Sequence, residues 1–389
     1  MNFASDNLAG ALPEVMDAVA GAAKGALAAY GSDELTARME KRVAEVFERD
    51  VAVFLVATGS AANALALSML SPPFGRIFVH PGAHSQTDEC GAPEFYTGGA
   101  KLHPVAGEHG KIAPADLEAA IASVGKDPHW APPTAMSVTQ VTEAGTVYSA
   151  SELGALGEVA KRHKLGFHLD GARFANALAS RNASPAEMSW KAGVDILSFG
   201  GTKNGCLALE AVVLFDKAKA DEMAYRRMRG GHLFSKMRFF SAQMEAYLEG
   251  DLWLRTARRS NAMAKRLAEG LAKVSGAEIL HPVDANEIFV KLPKAVVDGL
   301  ETEGVRFYRW TNDAFPMIRL VASFETTTEE VDTLLASARR LSGKPAGSRP
   351  LKAPGAWAKS RAFGLKASSP SSRGPGHRPL TAVTGVRIP

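Results

Sequence analysis

The chain has 389 residues, of which 46% are hydrophobic and 22% charged, a globular composition long enough for a large core in two domains. No apolar run approaches the roughly 18–20 residues of a membrane span, and no basic segment precedes an apolar one at the N-terminus, so we expect neither a membrane protein nor a secretion signal. Only two cysteines, Cys90 and Cys206, are present, which excludes a disulfide framework and favours the cytoplasm.

The formal net charge of +4 comes from one end of the chain. Residues 342–389 contain nine Lys/Arg and no Asp/Glu, whereas residues 1–341 contain 36 basic and 41 acidic residues. We therefore expect no nucleic-acid partner for the folded part. The segment 342–389 is rich in Pro, Ser, Gly and Arg, which predicts disorder. A functionless or aberrant extension is favoured over a basic tail that binds nucleic acid.

The predicted elements alternate between helix and strand up to about residue 250. Helices are predicted at 33–48, 61–70, 116–124 and 150–164, and strands at 51–57, 77–79, 134–139, 165–169, 194–199 and 211–215. This alternation predicts an α/β fold with a mostly parallel sheet and helices on both faces.

The pattern changes after about residue 250. A long helix is predicted at 252–274, short strands at 278–280, 288–291 and 317–321, and helices near 293–303 and 328–341. We interpret this part as a smaller C-terminal α+β domain. The predicted division is an N-terminal segment 1–30, a large domain 31–249, a small domain 250–341 and the tail 342–389.

The most informative pair of residues is Lys203 and Asp170. Lys203 lies in a polar turn 33 residues after Asp170, and Asp170-Gly171 follows the predicted strand 165–169. Ligands of open parallel sheets bind beyond the carboxyl ends of the strands. Pyridoxal phosphate enzymes need a lysine for the Schiff base and an acid for the pyridinium nitrogen. A helix-capping aspartate and a surface lysine are the alternative for either residue alone, but the pair favours a cofactor site.

The turn 58–63 is a candidate phosphate site. It joins a predicted strand to a helix start, where free N–H groups and the helix dipole bind anions. Gly59 would let a phosphate approach, and Ser60 would add a hydroxyl hydrogen bond. A plain helix cap is the commoner role of an isolated Gly-Ser. A P-loop is excluded because the Gly-Lys-Ser/Thr signature is missing.

His84 follows the next predicted strand, in a loop. An imidazole there would stack on a flat cofactor or act as a base near neutral pH, although a lone loop histidine is more often a surface residue. His80 and His84 have the spacing of a helical metal site, but Pro81-Gly82 between them breaks a helix, and no matching Cys/His pair lies nearby. We therefore expect no metal.

Arg319 lies in a predicted apolar strand of the small domain. Its guanidinium would suit a substrate carboxylate through bidentate hydrogen bonds. An edge-strand arginine paired with a local acid such as Glu325 is an equally good interpretation of the sequence.

The chain resembles the low-specificity L-threonine aldolases, which are pyridoxal phosphate enzymes of fold type I. The matching segments are 3–7, 30–33, 58–65, 84, 88–94, 97–102, 145–148, 168–177, 190–205, 236–239 and 319–324. They cover roughly residues 3–340, and the segments 168–173 and 201–205 are the most specific. The resemblance implies an aspartate-aminotransferase-like fold.

For the cofactor, the resemblance implies a role for each matching residue. Lys203 looks like the Schiff-base lysine, and Asp170 looks like the partner of the pyridine nitrogen. Gly59, Ser60 and Ala61 look like the phosphate cradle.

For the substrate, the resemblance implies two groups of residues. His84 looks like the residue that stacks on the cofactor ring and lies near the substrate hydroxyl. Ser5, Arg173 and Arg319 look like the cluster around the substrate carboxylate and the phenolic oxygen of the cofactor.

Lys236 and Arg238 look like basic residues that reach the phosphate from a neighbouring subunit. The family builds its sites at dimer interfaces, usually within a homotetramer. One departure concerns the catalytic base, because many members carry a second histidine before the Gly-Thr-Val stretch. This chain has none there, and Thr142 or Glu143 are the candidates to replace it.

The resemblance implies retro-aldol cleavage of L-threonine, L-allo-threonine and related β-hydroxy-α-amino acids to glycine and an aldehyde. His84, directly or through water, is the expected base for the β-hydroxyl proton. The alternatives are another pyridoxal phosphate lyase on the same scaffold, either a phenylserine aldolase or a β-eliminating lyase, and, less favoured, an aminotransferase.

Overall fold

The computed structural model describes residues 1–343. Apart from its first two positions, the predicted tail 342–389 lies outside the described residues, and its disorder stays a prediction. Within residues 1–343, no helix is both long and apolar enough to cross a membrane.

A seven-stranded sheet forms the centre of the molecule, in the order β1-β7-β6-β5-β4-β2-β3. All neighbouring pairs from β6 to β3 are parallel, and β7 runs antiparallel to both β1 and β6. The carboxyl ends of β4, β5 and β6 therefore share one edge with the start of β7. The strands are β1 Ala52–Val56, β2 Arg76–Val79, β3 Lys101–Pro104, β4 Pro133–Thr139, β5 Gly166–Gly171, β6 Ile196–Gly200 and β7 Glu210–Leu214.

Helices cover both faces of this sheet. Successive side chains of β7 point to opposite faces and pack in two different apolar clusters. Ala211 and Val213 pack in the largest apolar cluster, whereas Val212 and Leu214 pack in a second cluster with residues of α3. The predicted α/β class with a mostly parallel sheet is thus confirmed. The helices up to residue 248 are α1 Pro13–Ala22, α2 Glu34–Val46, α3 Gly59–Leu70, α4 His84–Thr87, α5 Ala92–Thr97, α6 Pro114–Ala122, α7 Ala150–His163, α8 Phe174–Arg181, α9 Ala220–Arg229 and α10 Arg238–Leu248.

A second sheet has four antiparallel strands in the order β10-β11-β9-β8. Its apolar cluster includes Leu267, Val290, Leu320 and Val331. The strands are β8 Glu278–Ile279, β9 Glu287–Lys291, β10 Tyr308–Arg309 and β11 Met317–Val321, and the helices are α11 Leu252–Leu271, α12 Lys294–Thr302 and α13 Thr328–Leu341. The predicted domain boundaries stay a prediction.

The first residues of the chain join this second sheet. The Phe3 N–H donates to the Arg306 carbonyl at 2.8 Å, and the Val321 N–H donates to the Phe3 carbonyl at 2.8 Å. Phe3 is 1% exposed and belongs to the apolar cluster of the second sheet. The chain then forms a 3₁₀ turn at Asp6–Leu8.

The structure differs from the sequence prediction in several details. The elements β3, β10, α1, α4, α5, α8, α9 and α10 were not expected. β5 extends to Gly171, so Asp170 lies inside the strand and not after it. The reason is that β5 is central, and Asp170 is paired in register with Thr139 on one side and Ser198 on the other.

Candidate active site

Asp170 is held in place by hydrogen bonds near the carboxyl end of the central strand β5. It is 5% exposed. Its Oδ1 accepts the Ala172 N–H at 3.0 Å, and its Oδ2 accepts a hydrogen bond from Asn63 Nδ2 at 2.7 Å. A carboxylate with two donors stays a hydrogen-bond acceptor, which is the property needed to pair with a protonated ring nitrogen.

Gly171, directly after Asp170, allows β5 and β6 to lie close together. A Cβ atom added at Gly171 would lie 2.6 Å from the Ser198 carbonyl oxygen, and one added at Gly200 would lie 2.5 Å from the Ala172 carbonyl oxygen. The glycines therefore permit close approach of the ends of β5 and β6. This approach brings the segment that follows β6, with Lys203, next to Asp170.

Lys203 lies in a 3₁₀ turn, Thr202–Asn204, that is anchored from both sides. The Gly201 and Thr202 N–H groups donate to the Leu209 carbonyl at 3.0 and 3.1 Å. Asn204 Nδ2 donates to the Tyr247 hydroxyl at 2.8 Å and to the Trp253 carbonyl. The backbone of Lys203 is thus fixed, and its side chain is half-buried.

The charge of Lys203 acts on the buried acids around it. Burial raises the pKa of Glu210 to about 7, and the charge of Lys203 opposes that rise. Burial also tends to raise the pKa of Asp6, but the Arg173 charge and hydrogen bond, helped by Lys203, hold it below its usual range. Sequence reasoning did not single out Glu210, because a lone acid in an apolar strand carries no motif.

The phosphate candidate has the geometry of an open helix N-terminus. α3 begins at Gly59 and not at Ala61, and the Thr58 side chain caps it by accepting the Ala61 N–H at 3.2 Å. The N–H groups of Gly59 and Ser60 have no acceptor within the helix. A Cβ atom at Gly59 would meet nothing within 4 Å, so open space lies beside the first residue of this helix.

His84 begins the short helix α4 and does not lie in a loop as expected. Its Nδ1 is 2.8 Å from Glu89 Oε1, and its backbone N–H donates to Glu143 Oε1 at 2.8 Å. The hydrogen bond to Glu89 raises the pKa of His84, although burial opposes the rise. Among residues 1–343, no three His, Cys, Asp or Glu side chains are grouped to hold a metal.

Asn63 and Glu89 connect His84 to Asp170. Asn63 Nδ2 donates to Glu89 Oε1 at 2.9 Å and to Asp170 Oδ2 at 2.7 Å. Both residues are buried, at 3% and 5% exposure. Sequence reasoning missed their roles, although both lie in segments that carried the resemblance.

Two arginines meet on a single buried acid from β9, Glu287. Arg173 binds Asp6 with Nε and Nη2 at 2.6 and 2.9 Å, and its Nη1 is 3.3 Å from Glu287. Arg319 Nη1 is 3.7 Å from Glu287. The structure thus brings Arg173 and Arg319 together, with Asp6 and Glu287 as neighbours that sequence reasoning did not identify.

The local acid suggested for Arg319, Glu325, is not its partner in the structure. Arg319 instead contacts Glu287, donates to the Ala4 carbonyl at 3.3 Å and lies over the Tyr308 ring. Register explains the difference, because Arg319 pairs with Phe289 on β9, two residues from Glu287.

Ser5 lies between Ala4 and Asp6, the two residues of the N-terminal segment that the arginines contact. Arg319 donates to the carbonyl of Ala4, and Arg173 binds the side chain of Asp6. The Ser5 hydroxyl accepts the Asn7 N–H at 3.2 Å and caps the 3₁₀ turn. Its placement is therefore consistent with the predicted cluster of Ser5, Arg173 and Arg319.

Of the two candidates for a second base, the structure favours Glu143. The Thr142 hydroxyl is used within its own turn, where it contacts Thr146 Oγ1 at 2.8 Å and receives the Thr146 N–H at 3.2 Å. Glu143 Oε1 accepts from Thr139 Oγ1 at 2.8 Å, whereas its Oε2 is buried without a partner among the described residues. Burial and the charge of Asp170 raise the pKa of Glu143 to about 7.

Lys236 and Arg238 lie just before and at the start of α10. Lys236 is exposed. Arg238 donates to the Gly25 carbonyl at 3.1 Å and lies over the Phe239 ring. The role of both residues toward a neighbouring subunit stays a prediction.

Comparison with known proteins shows the family to which this chain belongs. The model of the beta-eliminating lyase family matches residues 2–295. The chain belongs to this family, with the low-specificity L-threonine aldolases. The low specificity L-threonine aldolase of Pseudomonas aeruginosa is 42% identical over 88% of this chain and 98% of its own length. That of a Pseudomonas species is 40% identical over 87% and 96%, respectively. The solved threonine aldolase of Leishmania major has a TM-score of 0.83 with 27% identity, over 88% of this chain and 99% of that one.

As a member of this family, the protein is a lyase with pyridoxal phosphate as its cofactor, and its fold is of type I. The residues present fit the cofactor. The N–H groups of Gly59 and Ser60, which have no acceptor within the helix, suit its phosphate. The carboxylate of Asp170, fixed by its hydrogen bonds, suits its ring nitrogen, and Lys203 follows the neighbouring strand β6. The predictions of family, fold and cofactor are thereby confirmed.

Proposed function

We propose that this protein cleaves L-threonine, L-allo-threonine and related β-hydroxy-α-amino acids to glycine and an aldehyde. The observation that carries the proposal is the series of hydrogen bonds from His84 through Glu89 and Asn63 to Asp170, near the carboxyl end of β5. The names of the relatives from Pseudomonas aeruginosa and a Pseudomonas species support it.

Each site residue has a defined task in this proposal. Lys203 holds the cofactor, Gly59, Ser60 and Ala61 bind its phosphate, and Asp170 keeps its ring nitrogen protonated. When bound, pyridoxal phosphate accepts the electron pair released by cleavage of the Cα–Cβ bond.

The substrate is oriented by the arginine pair. Arg319 and Arg173, with Ser5, bind the substrate carboxylate, and the Arg319 Nε, which is buried without a partner among the described residues, is available for this contact. The acids Asp6 and Glu287 hold the two guanidinium groups in place. Orientation of this kind accounts for much of a rate enhancement, because it lowers the entropy cost of reaching the reactive geometry.

His84 removes the proton of the β-hydroxyl, directly or through water, with its Nε2 atom. Glu143 is the second group that holds a proton in this site, because it contacts the His84 backbone and has a pKa of about 7. A carboxyl group poised near neutral pH can give or take a proton during turnover.

The proposal includes a homo-oligomer, a homotetramer with sites at its dimer interfaces, in which Lys236 and Arg238 approach the phosphate of a neighbouring subunit. Exposed apolar side chains support association. Phe95 and Tyr225 are 81% and 79% exposed. Tyr96, next to Phe95, donates to the Gly230 carbonyl just after α9, so these side chains lie on neighbouring helices.

The proposed compartment is the cytoplasm. Cys90 is exposed and Cys206 is buried, and both are free thiols. Free thiols are typical of proteins from a reducing compartment.

The decisive experiment compares the wild-type protein with Lys203→Ala. We expect acetaldehyde and glycine from L-threonine with the wild type, together with a visible absorption band of the bound cofactor. The variant should lose both. If Lys203→Ala keeps the band and the activity, the lysine assignment is wrong.

The alternatives give different products. A phenylserine aldolase would release benzaldehyde from phenylserine but little acetaldehyde from threonine. A β-eliminating lyase would release ammonia, and an aminotransferase would form a keto acid. Measuring all four products from the same preparation separates these reactions.

A further inference from the structure

Glu89 is a buried carboxylate between two groups of the proposed reaction. Its side chain is 0% exposed. Its Oε1 atom lies 2.8 Å from His84 Nδ1 and accepts a hydrogen bond from Asn63 Nδ2 at 2.9 Å. The same Asn63 nitrogen donates to Asp170 Oδ2 at 2.7 Å. A continuous series of hydrogen bonds therefore runs from the His84 imidazole to the Asp170 carboxylate.

We propose that Glu89 is a positioning residue for the cleavage reaction, which holds His84 with its Nε2 lone pair toward the substrate and, through Asn63, keeps His84 and Asp170 in one hydrogen-bonded unit. This inference rests on the proposed function, in which His84 takes the hydroxyl proton.

The hydrogen bond to Glu89 selects one tautomer of the His84 imidazole. An ionised carboxylate can only accept hydrogen bonds, so His84 Nδ1 must carry the proton that faces Glu89. In the neutral ring, Nε2 is then the unprotonated atom, and it becomes the base. Without Glu89, both tautomers are available to a half-exposed ring, and only one of them can take the proton.

The contact with Asn63 makes the arrangement specific. A carboxylate that only anchored α4 would need no link to the site. Here the Asn63 amide nitrogen donates to two carboxylates, those of Glu89 and Asp170. Because α3 carries Asn63 four residues after Gly59, the helix of the phosphate site also fixes the distance between His84 and Asp170.

The charges that face His84 are those of Glu89, Asp170, Lys203 and Glu143. The hydrogen bond to Glu89 is the largest influence on the pKa of His84 and raises it; burial and Lys203 lower it, and Asp170 raises it. Burial raises the pKa of Glu89 itself, and the hydrogen bond from His84 opposes that rise. Removal of the Glu89 charge should therefore lower the pKa of His84.

The variant Glu89→Gln separates charge from position. Its Oε1 atom can still accept from both His84 Nδ1 and Asn63 Nδ2, but the negative charge is gone. As the pH is lowered, kcat/KM for L-threonine should begin to fall about one pH unit lower in this variant than in the wild type. The reason is that a neighbouring opposite charge shifts a pKa by about 1–3 units, and His84 loses such a neighbour. The plateau value of kcat should stay within about threefold.

A second readout does not depend on activity. Histidine-selective ¹³C labelling of the holoenzyme, with the His84 signal identified by its loss in His84→Asn, reports the titration of the ring directly. We expect the same acid shift of this titration in Glu89→Gln. The matched control is Glu94→Gln, which makes the same charge change five residues away, and it should leave both curves unchanged.

The variant Glu89→Ala removes the acceptor as well as the charge. We expect its plateau kcat to fall at least about tenfold. Without the acceptor, neutral His84 adopts both tautomers, and only the one with an unprotonated Nε2 can act as the base. A purely structural role for Glu89 would instead lower the melting temperature of both variants and leave the pH dependence of kcat/KM unchanged.

The outcomes are distinguishable. If the wild type cleaves threonine, but the His84 titration does not move in Glu89→Gln and the plateau kcat does not fall in Glu89→Ala, the positioning role is overturned. If the wild type releases no aldehyde at any pH, the proposed function fails instead. In that case, the labelled-histidine titration still decides whether Glu89 controls the charge of His84.

Discussion

Arg173 binds Asp6 through two parallel hydrogen bonds of 2.6 and 2.9 Å, across 167 residues of sequence. Both side chains are almost completely buried. Asn286 adds a third donor, with Nδ2 at 3.0 Å from Asp6 Oδ2. The N-terminal segment is therefore part of the wall of the candidate active site.

Replacement of Asp6 by alanine should destabilise the protein at neutral pH by about 3 kcal/mol, because it leaves a buried guanidinium with less compensation. Burial alone would raise the pKa of Asp6 above its usual 3.8, but Arg173 holds this pKa below 3.8 in the folded state. Its contribution is therefore present above about pH 4 and is lost as the pH falls through the folded pKa.

Urea unfolding at pH 7 and near pH 3.5 tests this prediction. The difference between wild type and Asp6→Ala should shrink at the lower pH. The control is Asp50→Ala, which removes an exposed partner of Lys217 at 3.7 Å and should cost less than about 0.5 kcal/mol. Equal effects of the two substitutions at pH 7 would contradict the role given to Asp6.

Replacement of Arg319 by glutamine should raise KM for L-threonine about tenfold to a hundredfold, because a charge-assisted hydrogen bond contributes about 1.5–3 kcal/mol. Steady-state kinetics with L-threonine measures the change. Glu325→Gln is the matched control, because Glu325 is not the partner of Arg319, and its KM should equal that of the wild type. An unchanged KM in Arg319→Gln would remove this residue from the substrate carboxylate.

Replacement of Glu143 by glutamine should change the pH dependence of stability. Burial raises the pKa of this carboxyl from 4.5 to about 7, so the folded state binds more protons than the unfolded state between these values. The stability of the wild type therefore falls as the pH rises through this window. The glutamine variant lacks that loss and should gain about 2 kcal/mol on the wild type between pH 5 and pH 8.

Chemical unfolding at the two pH values measures this gain. In the same variant, kcat should fall if Glu143 transfers a proton, whereas Thr142→Val should mainly lower stability, because the hydroxyl of Thr142 serves its own turn. A stability difference that does not depend on pH would refute the assignment of the raised pKa.

Replacement of Gly171 by alanine should destabilise the site and weaken cofactor binding. The added Cβ atom would lie 2.6 Å from the Ser198 carbonyl oxygen, so the ends of β5 and β6 must separate. The control is Gly154→Ala in α7, where a Cβ meets nothing within 4 Å and the helix should gain up to about 1 kcal/mol. Melting temperature and a cofactor titration report both effects, and a neutral Gly171→Ala would show that the strands separate easily.

The sequence predicted the strands that place Lys203 and Asp170, because both are short, mainly apolar runs followed by polar or glycine-rich turns. It did not predict Asn63, Glu89 or Glu287 as site residues. The role of each depends on a contact with another element. Long-range contacts of this kind leave no periodic pattern in the chain.

The Arg319 partner shows the same limit. A nearby acid, Glu325, was a reasonable expectation from the sequence alone. The pairing of β11 with β9 selects Glu287 instead, which lies 32 residues earlier in the chain. Register between strands is set by the whole sheet, and therefore local sequence does not reveal it.

The contact of the N-terminal segment with the second sheet has a consequence for synthesis on the ribosome. The Phe3 carbonyl cannot accept the Val321 N–H until Val321 has left the exit tunnel, and the hydrogen bond from Asn286 to Asp6 forms only after Asn286 has emerged. At about 5–20 residues per second, these contacts are absent for tens of seconds after the first residues are made. The large sheet can form during that time, but the contacts of the N-terminal segment with the second sheet are completed only after residue 321 has emerged.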